Sequence, residues 1–290
     1  MIINPEISIK EQSAITKDEW REWTKTVWDI ANISDGNHPA VFPEEIPRRL
    51  MKLFSFVGDT VLDPFSGTAS TGAAALRNKR MYIGFETNPD YVDIATKRLN
   101  ALKDEYDHIE DGDFEIVPSS SSSLASLDDD SVGCVITSPP YWNKADYGDF
   151  EGNIGSMQYY DDFLEAMGKV FAECYRVLMP GRKICVVTAN VNQNTREYGL
   201  VTMPIATDLT KLMQQTGFFL INQIIWNKDG TGGRWGSANG QRPIFGSYPY
   251  PPNLLFKNVN EYIIICQKPD PKKKNSKAPA YADLFRTKPV

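Results

Sequence analysis

Three stretches carry residue types that could do chemistry together. The first is "VITSPPYW", Val135 to Trp142, where an apolar run ends in Thr137 and Ser138, two prolines and two aromatics. Proline donates no N–H to a sheet ladder, so a buried strand has to stop there. The result is a stiff turn that fixes acceptors, the Ser138 hydroxyl and the Pro139 carbonyl, ahead of Pro140 and the rings of Tyr141 and Trp142. The second is "VLDPFSGTAST", where Asp63 ends another apolar run and a loop of small residues follows, Phe65 to Thr68. Backbone N–H groups in such a loop can approach a ligand closely. The third is "RMYIGFE", which ends in Glu86, 23 residues beyond Asp63. An acid about 20 residues on is spaced to grip a ribose hydroxyl pair. The loop is neither GxxxxGK[ST] nor GxGxxG, so the pattern indicates a ligand with a ribose and no phosphate. A helix-capping carboxylate and a purely structural Pro-Pro turn are the competing readings.

These stretches sit in a regular frame. A helix is expected from about Glu44 to Phe54, a turn at Gly58-Asp59 and a strand over Thr60–Asp63. "TGAAALRNK" reads as a helix, "RMYIGFE" as a strand, and "NPDYVDIATKRLNALKDE" as a helix capped by Asn88 or Thr87 with Pro89 in its first turn. "VGCVIT" and "KICVVTAN" read as strands flanking a helix "MQYYDDFLEAMGKVFAECYRVLM" closed by Pro180-Gly181. "LVTMPIATDLTKLMQQTG" reads as a helix, and "FFLINQIIW" and "NEYIIICQK" as the last strands. Upstream, Trp20, Trp23, Val27 and Trp28 recur near helical spacing, which predicts an amphipathic helix with the tryptophans in the core. Strands alternating with helices specify an α/β, doubly wound, mostly parallel sheet, in which ligands bind at the carboxyl ends of strands.

Composition narrows the function. At 290 residues, 41% hydrophobic and 23% charged, the chain is an ordinary globular protein with no apolar run near the ~18 residues of a membrane span. "MIINPEISIKEQ" has no signal-peptide pattern, and a cytoplasmic location is expected. Cys134, Cys174, Cys185 and Cys266 form no CxxC pair, and His38 and His108 are far apart, so buried free thiols are expected and no metal. The net charge is −6, but from Trp226 onward eleven Lys/Arg face four Asp/Glu, a local +7 on a body of −13. That end suits a polyanion. For "PKKKNSK" alone, a solvated tail is the simpler reading.

Taken together, "DPFSGTAST", "GFETNPDY" and "TSPPYW" resemble the S-adenosylmethionine-dependent DNA amino-methyltransferases, which act on the exocyclic N4 of cytosine or N6 of adenine. "HPAVFPEEIPRRLMKLFSFVGDTVLDPF", "RVLMPGRKICVV" and "NEYIIICQK" extend the resemblance over most of the chain. The resemblance implies a Rossmann-like methyltransferase sheet with an antiparallel last strand and S-adenosyl-L-methionine as cofactor. Asp63 with Phe65, Ser66, Gly67 and Thr68 would hold its methionine part, and Glu86 its ribose. His38 and Pro39 would pack beside it, with Thr137 at the strand end. Ser138, Pro139, Pro140 and Tyr141 would be catalytic, acting on a base flipped from double-stranded DNA. Serine before Pro-Pro leans toward N4-methylcytosine, with N6-methyladenine second. A cognate restriction endonuclease and a prokaryotic, nucleoid-associated setting belong to the same expectation.

The catalytic domain is expected over 1–227 and 260–268. An inserted recognition element would span 228–259, and a basic tail 269–290. Within the insert, Arg234, Trp235, Asn239, Gln241 and Arg242 suit base edges, and Lys228 and Lys257 suit phosphates. Trp142 and the loop "NKADYGDFEGNIGS" suit closure over the flipped base.

Three departures stand out. Ala69 replaces a second glycine in the cofactor loop, Pro118-Ser119 stands where Gly-Asp is usual, and the motif order looks permuted. If position 69 needs a positive φ, alanine weakens cofactor binding; Asp113 could replace the missing acid only by loop rearrangement. Permutation predicts that the N-terminal segment and the basic tail share one side of the fold. Rival readings are a protein-glutamine or RNA methyltransferase and a DNA-binding module with a decayed pocket.

Overall fold

A computed structural model describes residues 7–31, 43–144, 152–228, 250–252, 256 and 258–272. The chain order is α1 (Ile9–Gln12), α2 (Lys17–Trp23), β1 (Val27–Asp29), α3 (Glu45–Phe54), β2 (Thr60–Asp63), α4 (Ser70–Arg77), β3 (Met81–Phe85), α5 (Pro89–Glu105) and β4 (Phe114–Val117). It continues with β5 (Val132–Thr137), α6 (Tyr160–Val177), β6 (Leu178–Thr188), β7 (Val191–Thr195), β8 (Gly199–Met203), α7 (Ile205–Thr216), β9 (Phe219–Asn227) and β10 (Asn260–Gln267).

Among the described residues the main sheet has eight strands in the order β1-β9-β10-β6-β5-β2-β3-β4, with β10 antiparallel to both its neighbours. From β2 the chain moves outward through β3 to β4, then crosses back to β5 on the other side of β2. The order therefore reverses between β2 and β5, the place where open α/β sheets bind ligands. Those two strands end at Asp63 and Thr137. β5 is buried along its whole length, which is why it reads as an unbroken apolar run rather than an alternating one.

Helices cover both faces. On one side Leu50, Leu76 and Leu99 of α3, α4 and α5 pack with Trp23 and Trp28; on the other Phe163, Phe171 and Leu209 of α6 and α7 pack beneath Val135 and Val186. Helix α4 is buried from Ser70 to Leu76, and its small side chains bring its backbone close to the sheet. A Cβ on Gly72 would lie 2.7 Å from the Tyr82 ring. Among the described residues no helix is long and apolar enough to cross a membrane. The four cysteines are buried and free.

Several elements differ from the sequence reading. The tryptophan segment is not one helix: α2 ends at Trp23, and Val27–Asp29 pairs in parallel with Ile225–Asn227. Trp23 and Trp28 are core residues, but Trp20 is 56% exposed. Pro180-Gly181 does not close α6. The helix stops at Val177, and the pair lies inside β6, beside a register shift between Val132 and Cys134. The segment ahead of α7 forms the hairpin β7–β8, and Pro204 precedes the first turn of the helix. Strand β4 falls in the polar "DFEIVP" stretch, where no strand was expected.

Lys10 and Asp270 line one hollow at the end of the sheet opposite Asp63 and Thr137, so the two ends of the described chain are neighbours. The tail beyond 272 lies outside the described residues.

Candidate active site

The loop after β2 is held from several directions. Asp63, 1% exposed, accepts from Phe65 N at 3.1 Å and from Thr137 Oγ1 at 2.7 Å, tying the ends of β2 and β5 together. Ser66 N donates to Phe85 O at 2.9 Å, and Ser66 Oγ lies 2.9 Å from Tyr82 Oη. That contact fits only because residue 84 is glycine, since a Cβ there would lie 2.6 Å from both oxygens. Gly67 N donates to Glu86 Oε2 at 2.8 Å, and Arg98 Nη1 donates to Thr68 O at 3.0 Å. Arg98 is itself braced by Glu44 at 2.5 Å. Glu86 Oε1 accepts from Thr87 N and Asn88 N, at 2.9 and 2.8 Å. Asn88 then caps α5 by accepting from Asp90 N, as its sequence position predicted.

Position 69 does require a left-handed backbone: Ala69 has φ 60° and ψ 45°, immediately before α4. An L-residue there is strained by about 1–2 kcal/mol. Glycine would remove that strain but would lose a buried methyl worth about 0.8 kcal/mol and add unfolded-state freedom worth about 0.4–1 kcal/mol. Ala69→Gly is therefore expected to change stability by less than about 1 kcal/mol in urea denaturation. Ala69→Val, β-branched and buried, is expected to cost about 3 kcal/mol or more. A large gain for glycine would show that strain at this position dominates.

The loop and the Pro-Pro turn face one cleft, open to solvent. Phe65, Ser66, Gly67, Thr68 and Glu86 line it, and so do Ser138, Pro140 and Tyr141. Asp63 and Thr137 are buried behind this wall rather than forming it, and Pro139 is buried between Ser138 and Pro140, which do line it. Ser119, which stands where an acid is usual, lines the cleft, as do Gly152 to Ile154 of the expected closing loop; the sequence reading missed Ser120, Ser121 and Tyr91, which line it too. The serine run had the look of low complexity, and β4, whose end it follows, left no apolar run to point to it. Asp113 cannot stand in for an acid here. It is buried before β4, at the opposite end of that strand, where it accepts from Glu110 N at 2.9 Å.

The cleft is acidic. Burial pushes the Asp63 carboxyl up to about 6, against the hydrogen bonds from Thr137 and Phe65, and the nearby Glu86 adds to the rise. Burial also raises Glu86, against the backbone N–H groups of Asn88, Gly67 and Thr87. Both sites would gain from a cationic ligand.

The turn after β5 is tied into the far side of the sheet. Ser138 Oγ lies 3.2 Å from Tyr141 Oη, which donates to Glu261 Oε2 at 2.8 Å. Glu261, on β10, is hydrogen-bonded to Lys228 Nζ. Lys228 is 4% exposed, with its ammonium 4.3 Å from the Trp226 ring centroid. It does not face solvent as a phosphate contact would; the paired carboxylate and the indole hold it inside. Trp142 also turns inward, donating to Met157 O at 2.9 Å and meeting the Tyr160 ring edge-on at 5.2 Å. Its neighbour Asn143 bonds Gln193 of the β7–β8 hairpin at 2.5 Å, so the hairpin braces the segment after the turn. His38, Pro39, Arg234, Trp235, Asn239, Gln241, Arg242 and Lys257 lie outside the described residues, as does half of the expected closing loop.

With this geometry in hand, known proteins place the chain. A family model described as DNA methylase matches residues 3–97 and 132–284. The Type II methyltransferase M.MjaI of Methanocaldococcus jannaschii is 41% identical over 101 residues, 33% of each chain. The DNA adenine methyltransferase YhdJ of Escherichia coli is 38% identical over 79 residues, 26% of this chain and 27% of its own. The chain thus spans about a third of these relatives or less. Among solved structures, a Thermus thermophilus protein described as a DNA modification methylase, solved with S-adenosyl-L-methionine, is 28% identical over 54% of each chain, with a TM-score of 0.38.

Proposed function

We propose that this chain, which belongs to the DNA methylase family, transfers a methyl group from S-adenosylmethionine to the exocyclic N4 of cytosine in a base turned out of double-stranded DNA. The observation that carries the reading is convergence. Ser138 and Tyr141 share one cleft with Glu86 and the Phe65–Thr68 loop, so a base acceptor and a ribose acceptor face the same space.

The cleft residues fit the cofactor. Glu86 offers carboxylate lone pairs to the ribose hydroxyls, and Ser119, Ser120 and Ser121 offer hydroxyls in place of the usual acid. The raised carboxyls of Asp63 and Glu86 favour a positively charged ligand. When bound, S-adenosylmethionine supplies a methyl group carried on a sulfonium sulfur.

The chain's own residues address the other reactant. An exocyclic amine is a poor nucleophile because its lone pair is delocalised into the ring. Acceptors on its two N–H bonds favour a geometry that frees the lone pair. Ser138 Oγ and the Pro139 carbonyl are assigned that role, and the two prolines hold them with little reorganisation. Tyr141 is assigned to stack on the turned-out base. Positioning supplies most of the advantage, and no covalent intermediate is needed. The insert between β9 and β10 is assigned to target recognition.

Adenine N6 is the second reading, supported by the likeness to YhdJ, which is named an adenine enzyme. The same acceptors would serve either amine. Incubation with S-adenosylmethionine and unmethylated genomic DNA, followed by mass spectrometry of the nucleosides, decides between them. N4-methylcytosine is expected. N6-methyladenine would keep the mechanism and overturn the reading of Ser138. No methylated base from folded protein on DNA of diverse sequence would overturn the DNA assignment.

A further inference from the structure

A serine hydroxyl is ambiguous where an acceptor is needed, because it can donate as readily as it accepts. The Ser138 hydroxyl must present lone pairs to the target amine, and nothing in the Pro-Pro turn itself forces that. The buried groups behind it do. Glu261, 6% exposed, is paired with Lys228. A carboxylate held by an ammonium accepts hydrogen bonds and does not donate them. Tyr141 has one hydroxyl proton, and at 2.8 Å that proton goes to Glu261 Oε2. Toward Ser138, 3.2 Å away, the Tyr141 oxygen is then left as an acceptor. Ser138 satisfies it by donating its own proton, which leaves the Ser138 lone pairs facing the cleft that both residues line.

We infer that Glu261, with Lys228, is a positioning residue that sets the direction of the Tyr141–Ser138 hydroxyl chain, so that Ser138 acts as an acceptor for the substrate amine. The inference rests on the DNA amino-methyltransferase reading. It supplies a reason why serine can serve in this turn, where an amide or carboxylate oxygen would be an acceptor without help. It also gives the buried Lys228 a role that phosphate binding does not.

The test is a comparison in two backgrounds. Lys228→Met/Glu261→Gln removes the paired charges together and leaves a group that can donate to Tyr141 as well as accept. Single-turnover methyl transfer by this variant is expected to fall by about tenfold to a hundredfold, with the dissociation constants for S-adenosylmethionine and DNA unchanged. In a Ser138→Asn background, whose amide oxygen needs no orienting, the same pair of changes is expected to cost little. An equal loss in both backgrounds, or a loss that appears only in the dissociation constants, would reduce the network to a structural support and overturn the inference. No loss in the Ser138 background would overturn it as well. A neutron structure of the wild-type protein provides a measurement that needs no DNA substrate. Deuterons directed from Ser138 to Tyr141 and from Tyr141 to Glu261 support the inference, and a Ser138 deuteron pointing into the cleft refutes it. If the wild-type protein methylates no DNA base, the proposed function fails, while the deuteron positions still decide the orientation.

Discussion

Ser138→Ala is expected to lower methyl transfer by about 10²–10³-fold, the range seen when one preorganised hydrogen-bonding group is removed from a reacting centre. The change takes away an acceptor without disturbing what holds the turn. The strand before it is fixed by pairing of β5 with β2 and β6, and its last residue by the 2.7 Å bond from Thr137 to Asp63. The two prolines keep their backbone restriction, so the Pro139 carbonyl stays where it is. The groups assigned to the cofactor, Glu86 and the Phe65–Thr68 loop, come from β3 and the end of β2 and lose no contact. Affinity for S-adenosylmethionine, measured by calorimetry, is therefore expected to stay within about twofold. Single-turnover assays separate the chemical step from DNA binding. Near wild-type turnover would remove Ser138 from the mechanism, and a parallel loss of cofactor affinity would recast it as part of the pocket wall.

What could be read from the sequence was set by how each segment is buried. β2, β5 and β10 lie inside the sheet and are covered on both faces, so they appear as apolar runs with breakers at their ends. The residues at those ends, Asp63 and Ser138, were found by the same signal. β4 is an edge strand of four partly exposed residues, and the β7–β8 hairpin lies outside the main sheet, so neither left an apolar run. Trp23 and Trp28 show the limit of periodicity. A spacing that suits one helix face also suits a helix end followed by an edge strand, and only pairing with β9 decides between them. Lys228 shows the limit of charge counting. Its partner, Glu261, is 33 residues away in sequence, so a lysine at the start of a basic segment looks like a phosphate contact until the fold puts a carboxylate beside it. The cleft-lining serines were hidden for a related reason, since hydroxyl residues in a loop have no pattern that separates lining from solvation.

Asp63→Asn is expected to stabilise the unliganded protein at pH 8 and to remove a pH dependence that the wild-type protein shows. Burial raises the Asp63 carboxyl from 3.8 to about 6 in the folded state. Between those values the native state keeps a proton that the unfolded chain has lost, so the unfolded state binds fewer protons and stability falls as pH rises through the window. Above about pH 6 the full penalty of a buried carboxylate is present, on the order of 3 kcal/mol for a shift of about 2 units. Below 3.8 it is absent. Asparagine keeps an oxygen for the Phe65 and Thr137 bonds and carries no charge, so the two proteins should differ most at pH 8 and converge toward pH 4 in thermal denaturation. The functional consequence runs the other way. A cationic ligand in the adjoining cleft favours the ionised carboxyl, so its binding releases a proton below pH 6. Wild-type affinity for S-adenosylmethionine should then rise with pH and level off above about 6, by about tenfold for each unit by which the ligand lowers the carboxyl. The asparagine variant should bind more weakly at pH 8 and show a smaller rise, the part that Glu86 contributes. Parallel wild-type and variant affinity curves would mean that Asp63 serves only to join β2 to β5. A flat wild-type stability curve from pH 4 to 8 would mean that its burial carries no charge penalty.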